Sequence, residues 1–241
     1  MTTHNNTHLG LRTCGLFTAS LAIAALWSLP GSTQAQVVNP SFEDGTFNGW
    51  LTTGVTSIQT SSFTAPTNGT FQAFMSNATG SVTASALSTF FGGATLPGNT
   101  RGAATEGSGI KQTFVLSSTI TLSFDYKYVT QEGIGSGWDE VFYVLDGTVT
   151  LLASPNTAGV AAISGLPAPY VNGLPYQTVT LSLPAGSHTL GFGSYDTGDT
   201  SADTAILVDN IVVPEPSTLA SLAIGMAGLI GFRRRRTSTC A

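Results

Sequence analysis

From Val37 to Val213 the chain runs in short stretches that alternate β-branched or aromatic with polar residues, broken repeatedly by Gly, Pro, Asn or Asp. Period-two alternation over strand-length runs, with turn residues at the breaks, is the pattern of half-buried β-strands. The clearest run spans Thr119 to Thr130: Leu122, Phe124, Tyr126 and Tyr128 fall on one face, Ser123, Asp125 and Lys127 on the other. Further strands are predicted over 55–60, 71–76, 110–116, 140–145, 148–152, 177–183, 188–194 and 205–213. Asp146-Gly147, between two apolar runs, is a two-residue hairpin signal. One segment departs from the pattern: Ala86, Leu87, Phe90 and Phe91 have helical spacing, so a short helix is predicted over Ala84 to Phe91, stopped by Gly92-Gly93. The stretch from Ala153 to Tyr176 holds Pro155, Pro167, Pro169 and Pro175 and reads as an irregular excursion. No fixed repeat is visible, which argues against a propeller or a β-helix. The fold class is all-β, a sandwich with one short helix.

The two ends lie outside that pattern. Arg12, an apolar run from Leu16 to Leu29, Pro30-Gly31 and the small-residue exit at Ala35 form a secretory signal peptide over 1–35. At the other end Pro214-Glu215-Pro216 leads into the uncharged segment 217–232, followed by Arg233, Arg234, Arg235 and Arg236. As a helix that segment is roughly 24 Å long against a hydrocarbon core of about 30 Å, so it spans as a transmembrane helix with local thinning or snorkelling arginines. The arginines place the C-terminus in the cytoplasm and residues 36–213 outside it.

Removing the ends sharpens the chemistry. Residues 36–213 keep three basic residues (Arg101, Lys111 and Lys127) against twelve acids, a net charge of -9. Such a surface disfavours nucleic acid, which needs a basic stripe, and favours cations. Both cysteines, Cys14 and Cys240, fall in the end segments, so this domain has no disulfide. It has one histidine, His188, which rules out a multi-histidine zinc site and makes His188 most economically a packed or hydrogen-bonded structural residue.

The tail over 214–236, with its Pro-Glu-Pro motif, apolar segment and arginine cluster, resembles the PEP-CTERM sorting signal of Gram-negative bacteria, also catalogued as an ice-binding-protein C-terminal domain. The resemblance implies an exosortase-type membrane protease as partner, transient membrane anchoring, and delivery to the cell surface or extracellular matrix. An ordinary permanent anchor is the alternative. The domain itself shows a second resemblance. Asn39-Pro40-Ser41-Phe42-Glu43-Asp44-Gly45 with Trp50 at its opening, and Ile206-Leu207-Val208-Asp209-Asn210-Ile211-Val212 at its close, resemble the first and last strands of carbohydrate-binding modules with a galactose-binding-like jelly roll. That resemblance implies a jelly-roll sandwich, Trp50 in the core, and one structural Ca²⁺ held by Glu43 and Asp209 with carbonyls near Gly45. Solvated acids at a turn and a strand edge are the alternative.

Two other groups invite functional readings. Trp138 and Asp139, in Gly135-Ser136-Gly137-Trp138-Asp139-Glu140, form a candidate ligand contact, because sugars stack on aromatic rings and hydrogen-bond to carboxylates; a Trp folded back on the sandwich edge is the competing reading. Asp196, Asp199 and Asp203 match no calcium-loop spacing and read as an exposed turn. Asp139 and Glu140 are adjacent strand residues on opposite faces, poorly placed to flank one glycosidic bond, so no catalytic residue is assigned. The expectation is an exported, non-catalytic surface or matrix protein that binds exopolysaccharide, with a secreted glycan hydrolase as the alternative. An ice-binding role would need a regular Thr lattice; the sequence has Thr-rich strands such as Thr178-Val179-Thr180 but no repeating lattice, so ice binding is the minor alternative.

Overall fold

The computed structural model describes residues 37–214; the signal peptide, Glu215, Pro216, the 217–232 segment and the arginine cluster lie outside the described residues. The described residues form thirteen strands and one helix. In chain order these are β1 Leu51–Thr53, β2 Val55–Gln59, β3 Gln72–Ser76, β4 Val82–Thr83, α1 Ala84–Phe90, β5 Ala104–Leu116, β6 Ile120–Thr130 and β7 Glu140–Leu145. Then follow β8 Thr148–Ala153, β9 Ala161–Ala162, β10 Asn172–Gly173, β11 Gln177–Leu183, β12 Gly186–Thr197 and β13 Thr204–Val212. All pairings are antiparallel. One sheet has the order β1-β5-β12-β7-β8 with β4 also on β5; the other runs β2-β3-β13-β6-β10-β9 with β11 also on β6. Among the described residues no helix is long and apolar enough to cross a membrane.

The sandwich core follows from the alternation. Leu122, Phe124, Tyr126 and Tyr128 of β6 meet Ile110, Phe114 and Phe192 from the other sheet in one buried cluster that also holds Trp50. Trp50 packs on Phe42 and Phe192 at 5.4 and 6.1 Å between ring centres, as expected of a core tryptophan. The opposite face of β6 is polar, yet Asp125 and Lys127 are buried. A roof of chain explains it: Lys127 Nζ donates to Thr64 Oγ1 at 2.8 Å, Thr178 Oγ1 to Asp125 Oδ1 at 2.6 Å, and Asn210 Nδ2 to Asp125 Oδ2 at 3.0 Å.

The outer face of the first sheet is covered by α1. Thr83 caps the helix by accepting from Ala86 N at 3.3 Å, and Gly92 and Gly93, both at positive φ, end it. Beneath it Gly109 of β5 and Gly191 of β12, diagonal to each other across the strand pair, form a floor under the Phe91 ring. A Cβ at either would stand 2.6 or 2.5 Å from that ring. The bare backbone is what lets the ring lie against the sheet.

Asp146 and Gly147 both adopt positive φ, 52° and 81°, the signature of a type I′ hairpin that matches strand twist. The excursion after β8 contains only the two-residue strands β9 and β10, but Tyr170 within it is buried and bonds Ser76 Oγ at 3.0 Å.

Candidate functional site

At one end of the sandwich the strand registers assemble a polar cluster. Tyr195 of β12 stands opposite Glu140 of β7, so the next residues along, Asp196 and Asp139, come side by side. Alternation sends the two pairs to opposite faces. Tyr195 and Glu140 point outward, where the Tyr195 hydroxyl donates to Glu140 Oε2. Asp139 and Asp196 are only 1% exposed. Across from them Ala205 of β13 pairs Ser76 of β3, which sets Asn77 beside Thr204. Thr204 N donates to Asn77 Oδ1 at 2.6 Å, which fixes the amide and turns Asn77 Nδ2 toward both carboxylates, 2.9 Å from Asp139 Oδ2 and hydrogen-bonded to Asp196 Oδ1. Among the described residues Asp139 Oδ1 and Tyr128 Oη are buried without a hydrogen-bond partner.

Burial raises both acids, and the charge of Asp139 adds to the effect on Asp196, pushed up to about 10. The expected ligand role of Asp139 is therefore corrected: a carboxylate sealed between the sheets cannot touch a sugar at the surface. Nor can the Asp139–Asp196 pair, although close enough to share one amide, flank a glycosidic bond that cannot reach it.

Trp138, half-buried, lies next to this cluster. The Arg101 guanidinium sits 5.0 Å from the centre of its ring, and Arg101 Nε donates to Ser136 O at 2.7 Å. Asn99 Nδ2 ties the same loops together, donating to Gly137 O at 3.0 Å, Glu140 Oε1 at 3.1 Å and Thr197 Oγ1 at 2.9 Å. Glu140 also borders a shallow cleft of about 240 Å³ with Leu151, Leu152, Ala153, Ser154 and Thr157. The sequence reading missed Asn77, Asn99 and Arg101, and treated Asp196 as an ordinary turn acid. The one available signal was the antiparallel match of Asp139-Glu140 with Tyr195-Asp196, legible only once register is known.

Glu43 and Asp209 are brought to one loop, but from different sides. Asp209 accepts from Thr67 N and Asn68 N at 2.7 Å, from Thr67 Oγ1 at 3.1 Å and from Asn210 N at 2.6 Å. Glu43 accepts from Thr70 N and Phe71 N at 3.0 Å. Gly45, at positive φ, abuts the Phe71 ring. A shell of N–H and O–H donors complements an anion, whereas Ca²⁺ wants six to eight oxygens. The donor set as it stands fits a double carboxylate clamp on residues 67–71 rather than a calcium site. Among the described residues no three His, Cys, Asp or Glu side chains gather as a metal group.

Several solved structures are similar to this chain at low identity. TmCBM61 in complex with β-1,4-galactotriose is 10% identical, with 77% of this chain and 100% of that one covered and a TM-score of 0.40. The K3 cleaved adhesin domain of Lys-gingipain from Porphyromonas gingivalis W83 is 17% identical, with 76% and 100% covered and a TM-score of 0.39. CBM28, specific for non-crystalline cellulose, is 15% identical, with 74% and 95% covered and a TM-score of 0.38. No curated protein matches the chain. One family does match, over residues 212–236, and the chain accordingly carries a PEP-CTERM protein-sorting motif at its C-terminal end.

Proposed function

We propose that this protein is an exported component of the cell surface or extracellular matrix, that its β-sandwich binds polysaccharide without catalysis, and that an exosortase-type membrane protease processes its tail. The sorting motif at 212–236 carries the reading, since a chain addressed in this way does its work outside the cell. The apolar segment behind the motif would hold the protein in the membrane at least transiently, with the arginines on the cytoplasmic side. Two structural features support a non-catalytic role: the close carboxyl pair is sealed from solvent, and His188, the one histidine of residues 36–213, is bound at the far end of a hairpin to Asp146.

The polysaccharide would lie across the end of the sandwich, along the cleft beside Leu151, Ser154 and Thr157 and the adjoining Trp138 and Arg101. Leu151 is exposed there, and among the described residues the Arg101 terminal nitrogens make no hydrogen bond. The test is a pull-down of the full-length protein on the exopolysaccharide of its own cells. Wild type should be retained and Trp138→Ala should be released. Equal retention of both would remove the site from this end, and release of reducing ends from the glycan would overturn the non-catalytic reading.

A further inference from the structure

Asp139 and Asp196 bring two acidic groups into a place where, among the described residues, no positive charge meets them. The domain's three cations are engaged elsewhere: Arg101 over Trp138, Lys111 over Phe90 and Lys127 over Tyr176. What faces the pair is acidic or neutral. Glu106 of β5 and Asp199 after β12 act on Asp196, and Glu132 after β6 lies near Asp139. Tyr128 of β6 presents a phenol, and Asn77 after β3 and Thr204 of β13 present an amide and a hydroxyl. The single Asn77 Nδ2 supplies two N–H groups, one for each carboxyl, and leaves Asp139 Oδ1 without a donor. Two buried, adjacent carboxylates that were both ionised would repel each other with neither water nor a counter-ion to compensate.

We propose that the folded domain retains one proton on the Asp139–Asp196 pair, and that this proton, bridging the two carboxyls, joins β7 and β12 to the Asn77–Thr204 end of the other sheet and makes the fold pH-dependent. A bound cation is the other way to neutralise such a pair. Against a cation stand the amide donors already turned on both carboxyls, held there by Thr204 N–H. In the unfolded chain both carboxyls lose their protons near pH 4. Above that pH the native state holds one proton more than the unfolded state, so the pair's contribution falls as pH rises, tenfold in the folding equilibrium constant per unit. The fall ends near the native value for Asp196, about 10. Losing the proton would loosen the end that carries Trp138.

The test is denaturant unfolding of the full-length protein from pH 5.5 to 9.5, for wild type and Asp196→Asn. The amide of the variant donates to Asp139 as a protonated carboxyl does, but does not titrate. Other titrating groups cancel in the comparison, and the wild-type folding constant should fall about tenfold more per pH unit than the variant's. Equal slopes overturn the proposal. So does a wild-type midpoint that climbs with added calcium while the variant's stays fixed, because the pair is then a cation site. Should Asp196→Asn fail to fold, Asp139→Asn gives the same reading from the other member. Failure of both at pH 5.5 also overturns it, since amide and protonated carboxyl offer the same donor.

Discussion

His188 Nδ1 lies 2.7 Å from Asp146 Oδ2, while its Nε2 lies 2.9 Å from Pro184 O, so both ring nitrogens face acceptors. Only the imidazolium donates from both. Burial opposes the charge, but the hydrogen bonds to Asp146 and Pro184 O outweigh it and raise the histidine above its ordinary value. A raised histidine contributes stability that is complete below the unfolded value, about 6.5, and is lost as pH rises through the higher native value. Melting curves of wild type and His188→Gln should therefore differ most at pH 5.5 and converge by pH 8.5. The hairpin explains the placement: Asp146 at its turn accepts from Thr189 N at 2.8 Å with the other oxygen, so one side chain ties the β7–β8 turn to the start of β12.

Phe91 over its glycine floor gives a second prediction. Gly191→Ala would put a methyl group 2.5 Å from the Phe91 ring, and overpacking of this kind costs about 1–3 kcal/mol. Phe91→Ala opens a cavity under α1 and should cost about 3–5 kcal/mol. The two changes share one space, so their costs in the double variant should sum to less than the separate values. Urea unfolding of the four proteins in this cycle measures the coupling, and strict additivity would mean that the ring does not rest on that floor.

Much of this fold is legible in the sequence because its information is local. Alternation marks most of the long strands and the apolar run Ala205 to Val208 marks β13, Asp146-Gly147 marks its hairpin, and the spacing of Leu87, Phe90 and Phe91 marks α1. The strand ends are less legible: β5 begins at Ala104 and β12 runs to Thr197, past the predicted 110 and 194, because Gly and polar residues there are held by pairing across the sheet rather than by their own preference. The outward residues of β6 escaped for a similar reason. Nothing near Asp125 or Lys127 in sequence announces that residues 60–71 and Tyr176 will cover them. The end cluster was hidden most completely, since Asn77, Asp139 and Asp196 meet only through two strand registers, and the turn-like composition of 196–203 suggested an exposed loop.

The double clamp on residues 67–71 predicts that excess chelator leaves the melting curve of the full-length protein unchanged, while a fall in the midpoint would restore a calcium ion to Glu43 and Asp209. It also predicts unequal roles for the two acids. Asp209 is fully buried and receives three backbone N–H groups, so Asp209→Ala removes three hydrogen bonds at once, at about 0.5–1.5 kcal/mol each. Glu43 is exposed, and water can replace it at Thr70 and Phe71; Glu43→Ala should cost about 1 kcal/mol or less. Denaturant midpoints of the two variants separate the cases.

Asn77 provides the last test, independent of how many protons the acid pair holds. Its side chain accepts from Thr204 N and donates to both Asp139 and Asp196, so it joins the β3–β13 pair to the β7–β12 pair through one amide. Asn77→Ala would remove all three bonds where the partners are buried, and at about 0.5–1.5 kcal/mol for a neutral bond and about 1.5–3 kcal/mol for one to a charged group a loss of several kcal/mol is expected. Asn77→Asp is nearly the same size but replaces the shared donor with a third carboxylate. It should therefore be worse than alanine at pH 8 and recover toward it at pH 5, where a proton can take the place of the missing amide hydrogen. Unfolding midpoints at the two pH values decide this: an Asp variant no worse than alanine at pH 8 would mean that Asn77 fills space between the sheets and does not hold the acids.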